Sequence, residues 1–433
     1  VIKKRIMRSI IYIFIIGLLF TSCEDILDKE PLGRLDAGSF FQSSSDAVQA
    51  INAAYEPLLF NNNNGNFYWA MGVVASDNAV AGGDGSRPGI VEMDFLTYTP
   101  RTQEFNDFWR LNYAGITQCN TVLEEVPPIA MDNELKDRIM GEALFLRSYY
   151  YFMLTQVFGD VPLLLEIVPP DELKTPKSPR NTIYQQIIAD CQEAAALLPI
   201  DAEGGAGRAT RGAALALAAK TALYQEDWNA VLGFVDQVKD LGKYSLVADY
   251  QNNFREGTQN NSESVWEIQH ANLELGVGNF LNQWWASRKY GEGYGFAEVT
   301  EEFVNAFEAG DPRLNFTVAM DDEPYFELIY KRSFSSTGYS PRKYVQSDSV
   351  VTQKADGSIN YTAIRYAEVL LWEAEALAEL GQVQQAQEPL EMVRARARAQ
   401  AEEPENTLPM ITTTDQQEMI EHIRHERRVE LGF

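Results

Sequence analysis

Residues 210–241 read TRGAALALAAKTALYQEDWNAVLGFVDQVKDL, and this stretch decides the fold. Apolar residues recur at helical spacing on both sides of an acidic turn. The segment therefore predicts a hairpin, with one helix over about Thr210 to Tyr224 and another over about Trp228 to Leu241. Alanines facing each other across such a hairpin let the two backbones approach closely.

A second hairpin is predicted downstream, with Tyr361 to Leu380, a break at Gly381, then Val383 to Ala399. The copies share a form: Ala222-Leu223-Tyr224, a turn and Ala230, then Ala376-Leu377-Ala378, a turn and Ala386. This is the tetratricopeptide-like pattern of a helical solenoid, degenerate because the two spacings differ. Other helices are expected over Asp46 to about Leu59 (capped by Ser44 or Ser45), Glu104 to Glu125, Glu134 to Phe158 and Thr182 to Leu198. In the third-named stretch, Arg147 and Tyr149 to Tyr151 are expected to pack and hydrogen-bond between helices. Two regions break the rhythm, near 61–103 and 242–360; the second holds a short predicted strand, Ser264 to Ile268. The expected class is mainly α: a helical-repeat scaffold with a loop-rich face and a few short strands.

Composition limits the partners. The 433 residues are 45% hydrophobic and 23% charged, enough to bury a core. The formal charge is −26, which repels phosphate backbones and disfavours nucleic acid and other polyanions unless a local basic pocket is hidden. Cys119 and Cys191 read as buried free thiols. With His270, His422 and His425 alone, no histidine metal cluster is expected.

Lys3, Lys4, Arg5 and Arg8 precede an uncharged run, Ile10 to Phe20, too short to span a bilayer. Thr21-Ser22 before Cys23 resembles a bacterial lipobox, which implies a signal peptide over 1–22 and lipid on Cys23. Glu24-Asp25 resembles the signal that sends some lipoproteins to the outer cell face.

The chain as a whole resembles the SusD/RagB family of nutrient-binding outer-membrane lipoproteins. The resemblance rests on Cys23-Glu-Asp-Ile-Leu-Asp-Lys-Glu-Pro-Leu, the Asp46 to Leu58 helix, and Gly141-Glu-Ala-Leu-Phe-Leu-Arg-Ser-Tyr-Tyr-Tyr-Phe through Phe158-Gly-Asp-Val-Pro-Leu. It continues with Ala213 to Trp228, Asp311-Pro-Arg-Leu, Ile364-Arg-Tyr-Ala-Glu-Val-Leu-Leu and Ile423-Arg-His-Glu-Arg-Arg-Val-Glu-Leu-Gly-Phe. It implies a single domain over 23–433 that captures oligo- or polysaccharide and delivers it to a SusC-like TonB-dependent transporter, without catalysis or cofactor; the acidic surface favours neutral glycans over uronic-acid polymers. Some relatives carry structural calcium, and some bind peptides. The family's last motif continues past its Glu-Leu-Gly-Phe step, so truncation at Phe433 is also expected.

Sugar rings present C–H faces to aromatic side chains and hydroxyls to polar ones. Two loop regions offer both: Tyr68, Trp69, Asp77, Asn78 and Arg87 in one, Trp284, Trp285, Arg288, Tyr290 and Tyr294 in the other. Adjacent tryptophans suggest that at least one of Trp284 and Trp285 faces outward. The rival readings are a peptide pocket clamped by Arg87, Arg288 or Arg342, a secreted glycoside hydrolase and a helical adaptor. A hydrolase needs two facing carboxyls, and none of the 62 acids is singled out as such a pair. Glu368 with Arg365, and Glu426 with Arg427 and Arg428, are expected to form structural ion networks.

Overall fold

The computed structural model describes residues 41–60, 65–168, 174–273, 275–351 and 353–433. The leader and Cys23 lie outside them. Ser43 to Phe433 form one compact unit.

Its scaffold is a ladder of helices. After α1 (Ser44–Tyr55) and a short α2 (Pro88–Asp94) come α3 (Gln103–Glu125), α4 (Asn133–Phe158), α5 (Arg180–Leu197), α6 (Arg211–Tyr224) and α7 (Trp228–Asp240). Consecutive members from α3 to α7 pack against each other. Carboxylate and hydroxyl caps start α4, α6 and α7: Asp132 accepts from Leu135 N–H, Thr210 from Ala213 N–H and Asp227 from Ala230 N–H. The N-cap of α1 is Ser43, one or two residues before the expected position; its N–H donates to the Asp46 carboxylate at 2.8 Å. Small residues bring the helices together as the sequence implies. A Cβ on Gly115 of α3 would lie 2.3 Å from the Tyr150 ring of α4.

The second hairpin is α11 (Tyr366–Glu379) and α12 (Val383–Arg398), and α11 packs on α7, so the two repeats stack directly. Tyr361 to Arg365 is a strand and not the helix start expected from the sequence. It pairs antiparallel with Ser264–Ile268, whose partner groups satisfy its backbone, and helix begins only at Tyr366. The last helix, α13 (Gln416–Leu431), packs on α11.

The first strand, β1 (Ala79–Gly82), precedes the ladder; between the hairpins lie β2 (Ser264–Ile268), the one-turn α8 (Leu281–Trp285), β3 (Phe296–Val299), α9 (Glu301–Ala306) and α10 (Arg313–Thr317), then short strands β4 to β7 (Val318–Ala319, Pro324–Tyr325, Leu328–Ile329, Ser340–Pro341) and β8 (Tyr361–Arg365). The region near 61–103 is not all loop: it holds a turn of π-helix at Ala70–Val74 as well as β1 and α2.

Buried charges tie the pieces together. Arg147 of α4 forms a two-pronged pair with Asp190 of α5, while the Tyr150 and Tyr151 hydroxyls donate to Ala54 and Leu164 carbonyls. Arg313 meets Asp311, Glu426 and Glu430. Arg365 and Arg396 share Glu263 and Glu430, and Arg394 meets Glu308 and Glu426. The network exists, but its pairs differ from expectation. Glu368, in the first turn of α11, faces Lys220 of α6 instead of Arg365; Arg427 and Arg428 reach out to Glu375 and Glu302. Cys119 and Cys191 are buried and free.

Candidate functional site

The two loop regions singled out in the sequence meet in space. β1 and β3 pair antiparallel, with Gly82 opposite Phe296, and Gly83 N–H donates to Gly295 O at 2.7 Å. Gly82 has φ +64°, and a Cβ there would sit 2.3 Å from Gly295 O, so the approach requires glycine. Over this clamp an aromatic seam forms. Trp69 lies 5.3 Å from Trp284 and 6.5 Å from Trp285 between ring centroids; Phe296, Phe67 and Tyr294 surround Trp284 at 5.2, 5.9 and 5.6 Å. Arg87 caps it, its guanidinium over both Phe67 and Trp284.

The seam is not an open platform. Trp284 and Trp285 are 6% and 2% exposed, which overturns the expectation that one of them faces out. Successive helical residues point about 100° apart, and α8 is enclosed on all sides. Trp284 enters the Trp69 cluster, whereas Trp285 packs on Tyr344 and Phe433. Trp69 is buried as well.

The other sequence candidates scatter. Tyr68 is half-buried and stacks on Phe108 of α3. Asn78 holds the scaffold: its carbonyl accepts from Thr300 N–H and its Oδ1 from Arg428 Nε. Asp77 is exposed, its carbonyl accepting from the Thr300 hydroxyl. Tyr290 is buried under Lys354, whose Nζ lies 3.7 Å from the ring centroid, and its hydroxyl donates to Glu327. At the surface beside the seam remain Arg87, Tyr294 and the Arg288–Asp84 pair at 3.0 Å. Hydrogen bonds from Ser86, then Arg288, hold the Asp84 carboxyl down at about 2.

A cleft that the sequence did not announce opens next to the seam. It measures about 870 Å³, with Phe67 and Arg87 on one wall and Asp107, Trp109, Arg110, Tyr113 and Thr117 of α3 on the other. Trp109 and Tyr113 are half-buried, their centroids 4.8 Å apart, and the Tyr113 hydroxyl donates to Pro162 O. Burial pushes that phenol well above its usual range, so it stays neutral. Arg110 is exposed and has no hydrogen-bond or ion partner among the described residues. In sequence Trp109 falls in the apolar stripe of α3 and reads as core. Phe108 takes the core position, and Trp109 packs against Tyr113 and Phe158 at the edge of the cleft instead.

Aromatic faces edged by charged and hydroxyl groups suit a ring with a polar rim. Among the described residues no group of three or more His, Cys, Asp or Glu is placed to hold a metal ion. No described helix is long and apolar enough to cross a membrane.

Comparison with known proteins accounts for this architecture. Residues 42–223 match a family model described as starch-binding and associating with the outer membrane; residues 243–433 match the SusD family model. SusD-like protein P2 of Formosa agariphila is 26% identical over 448 residues, covering 97% of this chain and 87% of the relative. SusD-like protein P25 of the same organism is 26% identical over 280 residues, and that match takes in 62% of this chain and only 52%, about half, of P25. A solved structure described as a laminarin-binding SusD-like protein superposes with a TM-score of 0.76 at 26% identity, covering 90% of this chain and 89% of that one. With both halves matched in order and the helical scaffold shared, the chain belongs to the SusD/RagB family.

Proposed function

We propose that the protein is a non-enzymatic, surface-exposed lipoprotein, anchored through Cys23, that captures oligo- or polysaccharide and passes it to a SusC-like TonB-dependent transporter in the outer membrane. The observation that carries this reading is the cleft beside the seam. Trp109 and Tyr113 offer ring faces there, while Arg87, Asp107, Arg110 and Thr117 offer rim contacts. The family description as starch-binding and the laminarin-binding neighbour support carbohydrate as the ligand class. Capture then depends on the α3 wall and Arg87 more than on Trp284 and Trp285, which set the seam's shape.

The arginines offered as alternatives for a peptide clamp sit in three different settings. Arg87 covers Trp284, Arg288 is engaged by Asp84, and Arg342 lines a separate pocket. Native affinity gels of the full chain against laminarin, starch and other polysaccharides test the proposal. Retardation by a glycan supports it; a chain that binds peptides and no glycan contradicts it.

A further inference from the structure

We propose that a second pocket, lined by Arg255 and Arg342, binds the anionic substituent of a sugar, either a carboxylate or a sulfate ester. This rests on the carbohydrate reading above and narrows its substrate class.

The pocket measures about 590 Å³. Arg255 and Arg342 lie against its aromatic lining: Arg255 sits 5.9 Å from the Phe316 centroid and Arg342 6.0 Å from that of Phe326. Arg342 spends one Nη1 hydrogen bond on Asn315 O at 2.7 Å. Neither guanidinium forms an ion pair with a carboxylate among the described residues. The contrast with the interior is sharp, because Arg313, Arg365, Arg394 and Arg396 each meet two or more carboxylates. Glu256 also lines the pocket, but its carboxylate takes an amide hydrogen bond from Gln346 at 3.4 Å and no cation.

Two cations sharing a partly enclosed, aromatic-floored space without a paired anion form a receptor with open valences. Burial first, and then the field of Arg255, pull the Arg342 pKa down against the opposing influence of Tyr325 and Glu323. A bound anion reverses that field and takes the free guanidinium donors in charge-assisted hydrogen bonds. Phe316 and Phe326 meet the ring's C–H face. The chain's net charge of −26 repels anions at long range, but screening confines that repulsion to about 8–10 Å at physiological salt, whereas pocket contacts are direct. A hidden basic pocket is thus the feature that lets an acidic protein take an acidic sugar.

Isothermal titration of the full chain with a uronate trisaccharide, its sulfated counterpart and the neutral parent tests this, with inorganic sulfate and an acidic peptide as controls. The expected result is a gain of about tenfold or more in affinity for one charged sugar over the neutral parent. That gain disappears in Arg342→Gln and in Arg255→Gln; the latter changes an exposed side chain and decides the matter if the former folds poorly. Preference for uronate or for sulfate identifies the anion. Equal binding of charged and neutral sugars, a gain that survives Arg255→Gln, or binding of the peptide but not the sugars overturns the inference. In the first of these cases neutral-glycan capture at the cleft still stands; absence of binding by every sugar removes both.

Discussion

The Arg87 guanidinium lies 5.3 Å from the centroid of the Trp284 ring and 5.4 Å from that of Phe67, so one side chain closes the aromatic seam and walls the adjoining cleft. Arg87→Ala removes both functions. The expected outcome is a stability loss of about 1 kcal/mol, the size of a partly desolvated cation–π contact, together with a clear loss of glycan affinity. Thermal melts and binding isotherms on the same preparation check it.

Trp284→Ala behaves differently. The ring is buried among Trp69, Phe67, Phe280 and Phe296, so truncation costs about 3–5 kcal/mol through lost contacts and a cavity. Denaturant unfolding should show this as a lower midpoint. A variant as stable as the parent would place the ring at the surface, contrary to the packing described.

The Glu430 carboxylate accepts from Arg365, Arg396 and Arg313. Burial alone would raise its pKa, but Arg396, Arg365 and Arg313 outweigh burial and depress it well below the usual carboxylate range. A depressed folded pKa gives stability that is present above the unfolded value of about 4.3 and is lost as pH falls below it. Glu430→Gln should cost about 3–5 kcal/mol at neutral pH, because it leaves buried arginines short of a counter-charge. It should also flatten the acid limb below about pH 4. Melting temperature against pH, parent beside variant, reads both.

His270 is buried, and desolvation lowers its pKa to about 4 despite hydrogen bonds with Val277 and Gly278 carbonyls. The unfolded chain binds the proton near 6.5, so stability rises with pH between about 4 and 6.5 and falls as pH drops through that window. The contribution is up to about 3 kcal/mol. His270→Gln should remove this part of the slope, seen as a smaller change in unfolding free energy between pH 7 and pH 4.

Cys119 and Cys191 are fully buried, and burial pushes both thiols far above their usual pKa. Neither should react with a thiol reagent in the native protein, and both should react once it is unfolded. A native chain that labels rapidly would contradict this.

The scaffold was legible because helical periodicity, small-residue faces and caps all act locally. Thr210 to Tyr224 and Trp228 to Asp240 carry those signals in a single stretch. Where tertiary pairing decides, the sequence misled. Tyr361 to Arg365 continues an apolar rhythm into α11, yet Ser264–Ile268 recruits it as a strand. The site was half legible. Aromatics between glycines marked Trp69 and Trp284 as special, and they do meet, but composition cannot say which side of a loop is covered. Trp109 was hidden for the opposite reason, since its spacing matches the core stripe of α3 while its ring edges a cleft. Arg342 appeared only as one of several loose arginines; its lack of a carboxylate partner is a three-dimensional fact.

The most direct test of glycan capture at the cleft is the affinity of the full chain for its best glycan, measured by titration before and after changing the α3 wall. Arg110→Ala alters an exposed, unpartnered side chain and Trp109→Leu keeps an apolar contact toward Phe158, so both should fold. The account predicts a loss of about tenfold or more in the double variant, with its melting temperature within a few degrees of the parent. Undiminished affinity in a folded double variant would contradict it and move the glycan away from this cleft.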